Sequence, residues 1–268
     1  MTSLDRGVTT YGGVSPDTGK APAKIAGMFD AIAGRYDLLN HVLSGGQDLY
    51  WRWRAVRRLQ LTGKELVLDL CTGTCDVART MVRRQLARRV LGIDFSAEML
   101  KVGQRKLRGE GRASTIPLVR GDAMRLPAAT ASVDAVTIAF GIRNVQNASI
   151  ALEEVARVLK PGGRLAILEF STPQQPLIRA AYLWYFRNIL PRLGSLVSRH
   201  GEAYAYLPAS VEGFTPPVQF VAQLEAAGLT DCEAVPLTLG VVYLYVAARP
   251  VGAPPLPSSL YTEQTGCS

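Results

Sequence analysis

The sequence has few cysteines, fewer histidines and no long uncharged apolar run, and each shortage narrows what the chain can be. Its four cysteines are Cys71, Cys75, Cys232 and Cys267, and it has two histidines. Cys71 and Cys75 have no second pair at metal-ligand spacing, so no metal is expected. Unpaired thiols fit a reduced, cytoplasmic protein. The N-terminus lacks the apolar core of a signal peptide, so no secretion signal is expected. The most apolar long stretch, IRAAYLWYFRNILPRLGSLV at 178–197, carries three arginines and a proline. It will not span a bilayer, although it can lie against one. Acidic residues are the scarcer sign, 22 against 30 basic, for a net charge of +8. The basic residues are spread out, apart from WRWRAVRR (51–58) and RTMVRRQLARR (79–89). No clustered basic–aromatic surface or appended RNA module is visible, so a nucleic-acid partner is not expected.

What remains is enough for one large core, since 48% of the residues are hydrophobic. Residues 1–22 and 251–268 are rich in small residues and proline, without periodicity, and read as flexible tails. Between them, strand-like and helix-like segments alternate. ELVLDL (65–70) precedes a helical pattern over 76–88. VLGID (90–94) precedes SAEMLKVGQRKL (96–107). IPLVRGD (116–122) and VDAVTIAFG (133–141) follow, then a helix over 149–160 stopped by Pro161-Gly162-Gly163. RLAILEFS (164–171) is the next strand. A helix over 217–228 and two closely spaced strands, CEAVPLT and VVYLYVAA, complete the set. This alternation predicts an α/β fold: a seven-stranded, mainly parallel Rossmann-like sheet with an antiparallel last strand and a helical cap.

Such sheets bind ligands beyond the carboxyl ends of their strands. The first strand ends in DLCTGTCD, the second at Asp94 and the third in GDA (121–123). Gly73 leaves room for close backbone approach at the first turn. Asp94 is placed to accept from ribose hydroxyls, and Asp122 from an exocyclic adenine amine. The turn Thr72-Gly73-Thr74-Cys75 has one glycine, so neither a dinucleotide fingerprint nor a phosphate-binding loop is present. An adenosine ligand without phosphates and with a positive sulfur is S-adenosylmethionine, whose cationic end suits Asp69 and Asp76.

At these residues the chain resembles the class I methyltransferases. More narrowly, it resembles the ubiquinone/menaquinone biosynthesis C-methyltransferases over about residues 25–250. The likeness rests on FDAIAGRYDLLNHVLS (29–44), IAFGIRNV (138–145), RVLKPGGRLAILEFS (157–171), AYAYLPASVEGF (203–214) and LTLGVVYLYVAARP (237–250). It implies cofactor contacts at Thr74, Asp94, Asp122 and Ala123. Tyr36 and Asp37 fall in a helical lid over 23–60. The full candidate cofactor set is Tyr36, Asp69, Thr72, Gly73, Thr74, Asp94, Phe95, Met99, Asp122, Ala123 and Ala139. The chain departs from the family pattern twice. Cys75 replaces the second glycine of T-G-T-G-D, where an ordinary φ and a small fitted side chain are expected. Asp48 stands where the signature has histidine, with Ser44 and Trp51 in register.

The reaction implied is methyl transfer to a ring carbon of a reduced, prenylated quinone, with demethylmenaquinol the preferred substrate and a ubiquinone precursor second. A base must remove a phenolic proton, and Asp48 is one candidate. Arg143 and Asn144, just past the fourth strand, are the others, through a held water or through charge on the phenolate. Tyr204 and Tyr206 suit either ring contact or cap packing. The segment 172–216 is expected to cap the sheet and take the prenyl tail. Its arginines suit anionic lipid at the inner face of the membrane, and its helices suit a homodimer interface. Other readings stay open: a methyltransferase acting on a sterol or polyketide, an RNA methyltransferase, or a non-catalytic S-adenosylmethionine-binding protein.

Overall fold

The computed structural model describes residues 22–189 and 201–252. Of the tails expected at 1–22 and 251–268, all but Pro22, Val251 and Gly252 lie outside the described residues, as does 190–200 of the cap. Seven strands form one sheet: β1 (Leu66–Leu70), β2 (Arg89–Asp94), β3 (Leu118–Arg120), β4 (Val133–Ala139), β5 (Leu159–Phe170), β6 (Thr230–Leu237) and β7 (Val242–Ala248). The order is β3-β2-β1-β4-β5-β7-β6. The pairs among β1 to β5 are parallel, and β7 is antiparallel to both β5 and β6. This is the sheet expected from the alternation.

Both faces are covered, which explains why β1 reads as an unbroken apolar run. Side chains alternate across the pleat. Leu68 and Leu70, with Leu165 and Ile167 of β5, pack under helices α6 (Ala148–Val158) and α9 (Pro217–Ala226). Val67, Ala166 and Leu168 face the opposite layer, where Trp51, Ala55, Val77 and Met81 of α3 (Gln47–Arg58) and α4 (Asp76–Arg83) are buried. Helix α5 (Ala97–Gly109) packs beside α4, with Leu107 fully buried. Its start is capped by Ser96, whose hydroxyl accepts from the Met99 amide.

Three boundaries differ most from the sequence reading. Helix α4 stops at Arg83, because Gln85 turns left-handed (φ +55°) to bring the chain back to β2. Strand β3 is short, because Asp122 bends back through its carboxylate to the Met124 amide. Strand β5 begins at Leu159, taking Pro161-Gly162-Gly163 into an irregular register opposite Val133–Ala135.

Before the sheet, α1 (Pro22–Ile32), α2 (Tyr36–Ser44) and α3 run from the N-terminus across the strand ends. Each is pinned there by a polar contact. Asp30 accepts from Ser96 Oγ, Asp37 accepts from Thr74 Oγ1 (both 2.5 Å), and Arg52 pairs with Asp76 at 2.8 Å. Between β5 and β6, the described part of the cap is α7 (Pro176–Asn188) and α8 (Gly201–Glu212). The Tyr185 hydroxyl donates to Leu43 O, which ties α7 to α2. Among the described residues, no helix is long and apolar enough to cross a membrane.

Candidate active site

Strand order reverses between β1 and β4, and a cavity of about 110 Å³ opens at that place. Every strand from β1 to β4 contributes to it. Leu70, Cys71 and Gly73 come from the end of β1, and Asp94, Phe95, Ser96 and Met99 from β2 and α5. Asp122 and Ala123 follow β3, and Ala139 to Gly141 and Asn144 follow β4. Phe29 and Tyr36 close it from the N-terminal helices. Of the candidate cofactor residues, Tyr36, Gly73, Asp94, Phe95, Met99, Asp122, Ala123 and Ala139 line this cavity together.

Asp94 is the polar centre of the cavity. Its carboxylate accepts the Gly73 and Ser96 amides, both at 2.8 Å. Burial nevertheless pushes its pKa up to about 6. Gly73 has φ +55°, and a side chain there would be strained. The turn is therefore shaped so that its backbone approaches a ligand while anchoring the carboxylate beside it.

Asp69, near the end of β1, and Thr72 and Thr74, in the turn after it, do not line the cavity. Buried Asp69 accepts from Thr72 Oγ1 and Thr137 Oγ1, both at 2.6 Å, so it braces the turn from behind. Thr74 bonds Asp37. Asp76 does not face the cavity either. Burial would raise its pKa, but Arg52 and Lys106 hold it down at about 2. The sequence reading of Asp69 and Asp76 as partners of a cationic ligand end does not match these contacts.

Cys75 also departs from expectation. Its φ is +71°, in the left-handed region, and its side chain is fully buried. The thiol lies against α5 where Gly103 leaves a gap, and a Cβ at position 103 would stand 2.4 Å from Sγ. The fold accepts Cys75 because a glycine opposite makes room for sulfur. Burial drives the thiol pKa up to about 12, so it stays protonated.

A second cavity, about 340 Å³, lies beyond Phe29, Tyr36 and Phe140, which wall both. Helices α1 to α3 form one side and α7 and α8 the other. Its lining is mainly apolar and aromatic, and it includes Asp48 and Arg143. Arg143 is buried and pairs with fully buried Glu169 at 2.5 Å. It also donates to Phe140 O at 2.9 Å and lies 5.5 Å from the Phe170 ring centre. Burial opposes its charge, but Glu169 keeps it protonated. Asn144 opens instead onto the first cavity, where its Oδ1 accepts from the Tyr206 hydroxyl at 3.0 Å. Tyr206 lines the second cavity, and the side chain of Tyr204 lies outside the described residues. Burial raises the pKa of Tyr36, Tyr182, Tyr185 and Tyr206, so these hydroxyls are donors rather than bases.

Asp48 is buried and has two close neighbours. His41 Nδ1 lies 2.9 Å from Oδ1, and Ser44 Oγ donates to Oδ1 at 3.0 Å. The imidazole is as near Oδ2, at 2.8 Å, but hydrogen-bond geometry is met only toward Oδ1. Among the described residues, Oδ2 has no partner but the imidazole, with Arg52 Nη2 3.8 Å away, and Arg52 Nε has none; both residues line this cavity. Sequence reasoning had no role for Phe29, Phe140, Asn40, His41 or Glu169. Glu169 stood inside a quoted motif, but only its position beside β4 shows it to be the counter-charge of Arg143.

A seven-stranded sheet of this order, with a cleft built on Asp94 and Asp122 at its reversal point, defines a class I methyltransferase. A solved SAM-dependent methyltransferase from Thermotoga maritima shares the fold, with TM-score 0.59 at 18% identity over 84% of this chain and 99% of its own. The model of the ubiE/COQ5 methyltransferase family matches residues 18–249. A ubiquinone/menaquinone biosynthesis C-methyltransferase UbiE from Syntrophotalea carbinolica is 47% identical over 83% of this chain and 92% of its own. A demethylmenaquinone methyltransferase from Thermus thermophilus is 44% identical over 83% of this chain and 100% of its own. The chain belongs to the ubiE/COQ5 methyltransferase family.

Proposed function

We propose that this protein methylates a ring carbon of demethylmenaquinol, with S-adenosylmethionine as the donor. One observation carries the reading: two cavities share a wall, and their polar groups differ in kind. The first suits a nucleoside. Asp94, Asp122 and the Gly73 turn would hold adenosine, with Phe95, Met99 and Ala123 supplying apolar contact. When bound there, S-adenosylmethionine supplies a methyl group on a positively charged sulfur. The second is apolar enough for a prenylated ring, yet its lining holds the polar atoms of Asp48, Asn40 and Arg52, with Arg52 Nε unpaired among the described residues. A hydroquinone offers hydroxyls that donate and accept, which matches those atoms. The relatives' names point to the same substrate class.

Asp48 takes the phenolic proton, and Arg143 stabilises the resulting oxyanion by charge. Electron density then rises at the neighbouring ring carbon. Tyr36, Phe29 and Phe140 keep water from the junction and hold the two ligands in line. The helices over 23–60 serve as a lid. The helices of 172–216 serve as a cap for the prenyl chain. Exposed Leu177 and Trp184 on α7 support contact of that cap with a lipid surface. The test is incubation of the protein with labelled S-adenosylmethionine and, in separate arms, demethylmenaquinol, a demethylated ubiquinol precursor and a sterol. Label in menaquinol supports the reading. Label only in another arm replaces the substrate, and cofactor binding without turnover in any arm refutes the activity.

A further inference from the structure

We propose that His41 is a positioning residue for this reaction, orienting the Asp48 carboxylate so that Oδ2 stands ready for the phenolic proton. The inference rests on the reading of the second cavity as the quinol pocket. The chain carries Asp where the family signature has His, and it supplies an imidazole from seven residues earlier. Gly45 and Gly46, with φ of +59° and +77°, reverse the chain between α2 and α3 and bring the two residues together. Ser44 Oγ donates to Oδ1, and His41 Nδ1 sits across both oxygens, 2.9 Å from Oδ1 and 2.8 Å from Oδ2. Among the described residues, Oδ2 then has no partner but the imidazole and Arg52 Nη2 at 3.8 Å, in a residue lining the cavity. A carboxylate held this way cannot turn Oδ1 toward the cavity without losing the His41 and Ser44 hydrogen bonds. His41 itself does not line the cavity and is 40% exposed, so it acts through Asp48.

The step balances within the pair and substrate. The phenolic O–H bond breaks, the proton moves to Oδ2, and the electron pair stays on the substrate oxygen. After the ring carbon is methylated, that proton returns to oxygen while the ring carbon gives up its hydrogen to water. Other groups near the pair do not compete as bases. Arg52 stands 3.8 Å from Asp48 and is paired with Asp76, and Arg143 is a cation. Tyr36, Tyr182 and Tyr206 are kept protonated by burial.

The test compares His41→Leu, which lacks a donor, with His41→Asn, which keeps one, using short-chain demethylmenaquinol and S-adenosylmethionine at saturation. His41→Leu is expected to lower kcat about tenfold, less than the roughly 10²–10⁴ a general base itself contributes. KM for both substrates should stay within about twofold, and His41→Asn should restore most of kcat. In an Asp48→Asn background, His41→Leu should change kcat no further. Wild-type kcat in His41→Leu overturns the proposal. So does an equal drop in both backgrounds, or a drop that His41→Asn shares in full. Absence of turnover in the wild-type protein would instead sink the function itself.

Discussion

The contact between Cys75 and Gly103 yields a prediction with a sign that reverses. Helix α5 holds Gly103 in its interior, where glycine costs about 1 kcal/mol relative to alanine. On helix propensity alone, Gly103→Ala should stabilise. The structure says otherwise, because the new methyl would stand 2.4 Å from Cys75 Sγ. That sulfur is fully buried and has nowhere to go, so overpacking costs about 2–3 kcal/mol. The net expectation for Gly103→Ala is a loss of about 1–2 kcal/mol. Cys75→Gly should be near neutral, since relief of the left-handed residue offsets the lost buried sulfur. In the double variant the nearest remaining neighbour of the methyl is Thr74 C, at 3.4 Å, an ordinary contact. There Gly103→Ala should gain about 1 kcal/mol. The coupling energy is therefore about 2–3 kcal/mol, read from urea unfolding of the four proteins at equal m. Additivity within about 0.5 kcal/mol would refute the reasoning. A Gly103→Ala variant more stable than the parent would do the same.

Two further outcomes follow from the carboxylates. Asp94→Ala should weaken S-adenosylmethionine binding by about 1.5–3 kcal/mol by calorimetry, the scale of charged hydrogen bonds. Asp94 is ionised above about pH 6 and protonated below it. Cofactor affinity in the parent should accordingly fall from pH 7.5 to pH 5, and a flat profile would remove Asp94 from the ribose role. Glu169→Gln leaves the Arg143 charge buried without its counter-charge, so stability in denaturant should drop by about 3–5 kcal/mol. Replacing both partners with Arg143→Met and Glu169→Leu should cost less than that single change; a larger loss in the double variant would argue against the buried-pair account.

Much of the candidate cofactor site was legible in the sequence, because it lies at strand ends. A strand is read from its apolar run, and the residue after it must stand at the sheet edge. Gly73, Asp94 and Asp122 follow from that rule alone. Direction was harder to read. Asp69 at the strand end and Thr72 and Thr74 in the turn are in the right place, yet Asp69 and Thr72 brace the turn from behind and Thr74 turns to Asp37, because neighbouring residues there point to different sides. Cys75 was misread for a related reason. Its tolerance depends on Gly103, a glycine in another helix that nothing local to the turn reveals.

The second cavity lay further from the sequence. Asp48 and Arg143 come from segments far apart in the chain, and His41 meets Asp48 only because two glycines fold one helix back on the next. The sequence by itself determined the alternating strands and helices, the sheet they form and the strand ends where a nucleoside would rest. Those follow from periodicity and short-range sterics. Tertiary structure alone decided which polar atoms are left unpaired, which cation meets Glu169 and where the two cavities share a wall. Those depend on burial and on contacts between distant segments, which no local pattern encodes.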